Sequence, residues 1–219
     1  MDSPEIRLFS RPAGSSKALV FVDGFLSADK ERCDILLSAL NNAGWHHSVY
    51  QLWWDASSID SAMGLNYHKC KSRAKFVGTN NFQSLIESQI LEPNICLIAH
   101  SLGARVAYEG MESWAQNHYL LEDVILLSGA VRRDSSKNWG YVAGKIKGTL
   151  INVYNEDDPT LKKRFKLAEA GNACGSKPIK EYHPQIKNED ATFFLGKSHS
   201  LSKALSYLPE LVKKGLWRT

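Results

Sequence analysis

Short apolar runs recur along the chain at wide intervals: KALVFVDGF (17–25), HSVYQLWW (47–54), NICLIAH (94–100), DVILLSGA (123–130) and TLINVYN (149–155). Each is either continuously apolar or rich in β-branched and aromatic residues. That pattern suits strands buried on both faces of a parallel sheet. EIRLF (5–9) reads as an edge strand. Between the runs the apolar positions take helical spacing. In 28–44, Ile35, Leu36, Ala39 and Leu40 share one side and Gly44 is a C-cap. In 81–91 the stripe is Phe82, Leu85, Ile86 and Ile90, and in 101–116 it is Leu102, Val106 and Ala107. In 200–214 it is Leu201, Leu205 and Leu208, with a kink expected at Pro209. The stretch 55–80 reads as one or two helices over the sheet, a cap-like insertion in a single domain spanning 1–219. Strands alternating with helices predict an α/β fold, a three-layer α/β/α sandwich on a mostly parallel central sheet.

Composition narrows the function classes. With 219 residues there is room for one good-sized core, and 43% hydrophobic with 23% charged residues is ordinary for a globular chain. The net charge of +4 demands neither nucleic acid nor membrane, although it permits weak peripheral contact with anionic surfaces. LKKRFK (161–166) and LVKKGLWRT (211–219) read first as solvated basic faces, with a lipid surface as the other candidate partner. MDSPEIRLFS lacks the charged and apolar regions of a signal peptide, and no apolar run reaches the ~20 residues of a membrane-spanning helix. Cys33, Cys70, Cys96 and Cys174 are scattered, so reduced thiols in a cytoplasmic protein are expected, with Cys96 a core residue. No HExxH, cysteine cluster, GxxxxGK[ST] or GxGxxG occurs, and neither a metal nor a cofactor is expected.

One junction carries chemistry. Ala99-His100-Ser101-Leu102-Gly103 stands where a predicted strand meets a predicted helix, the setting of a G-x-S-x-G nucleophile elbow with alanine at its first position. The other reading of Ser101 is a helix N-cap. A serine nucleophile needs a base, and the base needs an acid to orient it, in the chain order Ser, Asp or Glu, His. TLINVYN is followed at once by Glu156, Asp157 and Asp158. Asp158, in DPTL, is the favoured acid, Asp157 the near alternative and Asp134 a third. Of the downstream histidines, His199 lies between an apolar run and the last helix and is favoured over His183. The oxyanion donors would be the Leu102 amide and, from the VFVDGFLS loop, that of Phe25 or Gly24. His100 and Trp54 are candidates for substrate contact or for packing.

These elements resemble the α/β-hydrolase superfamily over about residues 17–212. More narrowly, VFVDGFLS, YQLWWDASS, IAHSLGARVAYEGM, VILLSGAV and LINVYNEDDPTLKKRFKLAEAG are similar to a hydrolase-like family that includes the transmembrane and coiled-coil domain-containing protein 4 of eukaryotes. The resemblance implies a Ser101, Asp158, His199 triad and hydrolysis of an ester, thioester or acyl lipid. It also implies a soluble catalytic domain without the membrane segment of those relatives. The competing class is a hydrolase-fold protein that binds or regulates without catalysis.

Overall fold

The computed structural model describes residues 3–24, 30–56, 63–115 and 121–219. Seven strands form one sheet: β1 (Glu5–Ser10), β2 (Lys17–Val22), β3 (Ser48–Trp53), β4 (Asn94–His100), β5 (Leu121–Leu127), β6 (Leu150–Tyr154) and β7 (Ile186–Asp190). Their spatial order is β1-β3-β2-β4-β5-β6-β7. Only β1 runs antiparallel, against β3, and all other neighbours are parallel. The expected α/β fold with a mostly parallel sheet is the fold observed.

Alternation along the central strands divides the core into two layers. Ala18, Val20 and Val22 of β2, Ile95, Leu97 and Ala99 of β4, and Val124 and Leu126 of β5 face one side. There they pack under α2 (Met63–Gln89) and α3 (Gly103–Ser113). Leu19 and Phe21, Cys96 and Ile98, and Ile125 and Leu127 face the other. That side is closed by α1 (Lys30–Asn42) and by two short helices near the C-terminus. Two buried faces per strand explain why the sequence shows continuous apolar runs. Cys96 lies in this core, and burial pushes its thiol up to about 11.

Several elements differ from the sequence expectation. The helices expected in 55–80 and 81–91 are one helix from residue 63 onward, with Cys70, Ala74, Val77, Phe82 and Ile86 along its buried side. Gly78 is where α2 crosses α3. A Cβ there would lie 2.6 Å from the Val106 carbonyl oxygen. The expected kink at Pro209 is a full break. One helix ends at Leu205, and the next, Leu208–Lys213, carries Pro209 in its first turn, where a missing N–H costs nothing. Strand β7 was not expected. Only Ile186 of IKNED is buried, so it has no apolar pattern to read.

Among the described residues no helix is long and apolar enough to cross a membrane.

Candidate active site

Strand β4 ends at His100 and α3 begins at Gly103, so Ser101 sits in a two-residue turn. Its φ is +53°, in the left-handed region that a non-glycine residue seldom enters. Neighbouring strands hold it there. Ser101 N–H donates to Leu127 O at 3.1 Å, and its carbonyl accepts from Ala130 N–H at 2.9 Å. The turn also needs space beneath it. A Cβ on Gly103 would lie 2.1 Å from Val22 O, and one on Gly24 would lie 2.8 Å from Ser101 Cβ. These two positions make the closest approaches, whereas the Ala99 methyl packs in the α2–α3 layer of the core. The elbow therefore forms with alanine at its first position.

Ser101, His199 and Asp158, far apart in sequence, form one hydrogen-bonded line. Ser101 Oγ is 2.9 Å from His199 Nε2, and His199 Nδ1 is 2.5 Å from Asp158 Oδ2. With Nδ1–H donated to the carboxylate, Nε2 is left to accept from the serine hydroxyl. Asp158 is fully buried, and its Oδ1 accepts from the Thr160 and Leu161 amides at 2.9 and 3.0 Å. The imidazole is 19% exposed, so the line opens to solvent at His199.

The turns carrying the acid and the histidine are tied together by Asn155. Its Nδ2 donates to Gly196 O at 2.7 Å and Ser198 O at 3.2 Å, while its Oδ1 accepts from Asp157 N–H at 2.9 Å. Sequence reasoning passed over Asn155. Its one signal is a polar residue closing the apolar run LINVYN. On the far side of the elbow, Arg105 of α3 reaches Glu169 at 3.3 Å, which secures the segment following Asp158 against α3.

A second cluster underlies the turn. Asp23, buried at the end of β2, accepts from Gly24 N–H at 2.6 Å and from the Arg32 guanidinium, and lies 3.2 Å from His100 Nδ1. Burial alone would raise its pKa, but the His100 hydrogen bond and the charges of His100 and Arg32 outweigh that and hold the carboxyl below its ordinary value. The His100 ring lies 5.5 Å from that of His199, and its buried Nε2 has no hydrogen-bond partner among the described residues.

Other candidates fall elsewhere. Gly24 is not a free oxyanion donor, because its N–H is already bonded to Asp23. Its contribution is the missing side chain. Phe25 lies outside the described residues. The Leu102 amide, at the N-terminus of α3, has no acceptor among the described residues and remains the available donor. Trp54 does not line the site. It is 1% exposed, and its Nε1–H donates to Asp23 O at 2.9 Å, bracing the end of β2. Asp157 is exposed and pairs with Lys162 at 3.6 Å. Asp134 is bound to Arg132, which holds its carboxyl down at about 2. His183 accepts from Gln185 N–H at 3.3 Å, apart from the serine. Among the described residues no group of three or more His, Cys, Asp or Glu side chains could hold a metal ion.

Comparison with known proteins places this geometry in a fold. The chain is similar to a poly(3-hydroxybutyrate) depolymerase from Bordetella parapertussis, with a TM-score of 0.57 and 12% identity over 98% of this chain and 85% of that one. It is similar to esterase PE8, with a TM-score of 0.55 and 10% identity over 97% and 99% of the two chains. Carboxyl esterase 2 of the fungus Tuber melanosporum gives 0.51 and 9% over 98% and 86%. These likenesses are of fold, and the fold is that of the α/β hydrolases. In sequence, an uncharacterized membrane protein of Caenorhabditis elegans is 33% identical over 124 residues. That match takes in 52% of this chain and 20% of the relative, so the chain spans about a fifth of the relative's length. The model of the family described as "Protein of unknown function (DUF726)" matches residues 38–211, well over half of the chain, and the chain belongs to that family.

Proposed function

We propose that the protein is a serine hydrolase that cleaves a carboxylic ester, thioester or acyl lipid through a Ser101–His199–Asp158 triad. The observation that carries this reading is the unbroken line from Ser101 Oγ through His199 to Asp158, 2.9 and 2.5 Å long, on a strained elbow. Strain of this kind is retained where it presents a side chain. Two of the structures the chain resembles are esterases by name, and the third is a depolymerase of a polyester. The similarity to the hydrolase-like family of transmembrane and coiled-coil domain-containing protein 4, carried by INVYNEDDPTLKKRF, supports the same reading.

The chemistry follows from the geometry. Ser101 Oγ attacks the acyl carbon while His199 Nε2 takes its proton, and Asp158 stabilises the resulting imidazolium through Nδ1–H. The Leu102 amide donates to the oxyanion, with Phe25 the proposed second donor. As the intermediate collapses, the leaving alcohol or thiol takes the proton from His199. A water molecule then gives its proton to His199 and attacks the acyl-enzyme. The acid is released and the proton returns to Ser101. Net, one ester bond and one water become an acid and an alcohol.

The test is labelling of Ser101 by a fluorophosphonate together with turnover of short-chain p-nitrophenyl esters, with Ser101→Ala as control. Labelling and turnover that vanish in the variant are expected. A folded preparation that neither labels nor turns over would sink the reading and leave a non-catalytic binding role.

A further inference from the structure

The solvent side of the turns around the site carries an uneven surface. The turn Thr160–Phe165 and helix α4 (Lys166–Glu169) follow Asp158 directly. Leu161 and Phe165 are buried, which forces Lys162, Lys163, Arg164 and Lys166 outward. Beyond them Leu167 is 89% exposed. A second segment, Thr192–Leu195, precedes His199, and its Phe193 is completely exposed. Lys197 follows, and Lys203 stands over the neighbouring Phe194 ring at 5.3 Å.

The two segments leave one junction. Glu156 N–H donates to Thr192 Oγ1 at 2.9 Å, and Asn155 holds Gly196 and Ser198 as described above. Both segments therefore flank the turns that bring Asp158 and His199 together. The exposed carboxylates of this rim are Glu156, Asp157 and Asp190. Asp157 is offset by Lys162, and Asp190 is occupied with Thr192 N–H at 2.9 Å. The six cations, Lys162 among them, outnumber these three carboxylates.

An isolated exposed leucine or phenylalanine needs no explanation. Here two of them stand among lysines and an arginine on the two segments that flank these turns. We propose that this rim is a docking surface for an anionic lipid bilayer. Leu167 and Phe193 would enter the headgroup boundary while the cations meet lipid phosphate and carboxylate charge. A folded protein partner fits less well. It would need a contiguous, complementary face of roughly 800 Å² on each side, whereas separated apolar tips between exposed cations suit a fluid surface. What docking delivers, an ester of a bilayer lipid, rests on the hydrolase reading above. The docking itself does not.

Flotation of the full chain carrying Ser101→Ala, with phosphatidylcholine vesicles made with and without phosphatidylserine, tests this without turnover. Phosphatidylserine is expected to raise the bound fraction at least ~tenfold, and added salt to reverse the gain. The triple variant Lys162→Glu, Lys163→Glu, Arg164→Glu is expected to abolish that gain. Leu167→Ser with Phe193→Ser should lower binding at least ~threefold. All five positions are exposed, and unchanged melting temperatures would show that the variants fold. No binding to either vesicle, equal binding to both, or binding untouched by the variants would overturn the proposal. A protein that labels at Ser101 yet ignores vesicles defeats the docking surface alone. One that binds vesicles in this pattern yet never labels upholds the surface and defeats only the hydrolase reading.

Discussion

Two histidine–aspartate pairs meet beside Ser101, and they are wired differently. Asp158 is bonded to two backbone amides and to His199, and among the described residues no lysine or arginine pairs with it. Asp23 shares its charge with Arg32 and the Gly24 amide as well as with His100. His199 completes its line on Ser101 Oγ, whereas His100 Nε2 is sealed and unpartnered among the described residues. On the proposed mechanism the same residue pairing serves two ends. A carboxylate without a fixed cation can stabilise a transient imidazolium. A carboxylate already neutralised by a guanidinium holds a turn in place. The difference lies in the third partner, which sequence order does not reveal.

The sharpest way to break this comparison is to remove each histidine in turn. On the proposed mechanism His199→Ala or Ser101→Ala should lower kcat/KM for a p-nitrophenyl ester by about a millionfold, since members of a triad act as a unit. Asp158→Asn should cost about ten-thousandfold, because the amide presents its N–H to Nδ1 and favours the wrong tautomer. Its melting temperature should change little in comparison with that loss. If Asp158→Asn retained full turnover, the division of labour between the two aspartates would be wrong.

How much of this was legible in the sequence depended on whether a residue's partner lay in a recognisable position. The serine and the acid could be read because each follows an apolar run that reads as a strand, and His199 because it stands before the last helix, in the chain order Ser, acid, His. Between Asp158 and Asp157 the sequence left the choice open; in the structure it is Asp158 whose side chain takes the amides of Thr160 and Leu161 and meets His199. Asp23 was not legible. In VFVDGF it looks like a turn residue, and its partners come from α1 and from β4. Asn155 was missed for the same reason, since its acceptors at 196 and 198 are brought near only by the pairing of β6 with β7. That pairing was itself hidden, because an edge strand with one buried residue leaves no periodic trace. Trp54 was ambiguous between pocket and core until the bond from its indole to Asp23 O decided for core.

Asp23 should matter chiefly for stability. Asp23→Asn removes the charged partner of Arg32, His100 and the Gly24 amide, and should destabilise the fold by about 3 kcal/mol. That corresponds to a fall in melting temperature of roughly 6–12 °C for a chain of this size. The effect has a pH signature. The folded carboxyl lies below its ordinary value of 3.8, so its stabilisation is complete above that pH and is lost as pH falls through the folded value. Urea melts at pH 7 and pH 3 should therefore show the gap between the native protein and Asp23→Asn shrinking on acidification. A constant gap would mean that the charge of Asp23 is not what holds the turn.

The smallest expected effect tests the comparison most closely. His100→Phe keeps a ring against His199, removes the contact with Asp23 and leaves Arg32 and the Gly24 amide on the carboxylate. One hydrogen bond to a charged group is lost, about 1.5 kcal/mol, so kcat/KM should fall by no more than ~tenfold and fluorophosphonate labelling should persist. The same variant cannot be so mild if His100 carries protons in the reaction. A loss approaching that of His199→Ala, in a protein whose melting temperature has barely moved, would make the Asp23–His100 pair a working part of the chemistry. The sealed Nε2 would then have to open during turnover, since among the described residues it faces neither solvent nor a hydrogen-bond partner.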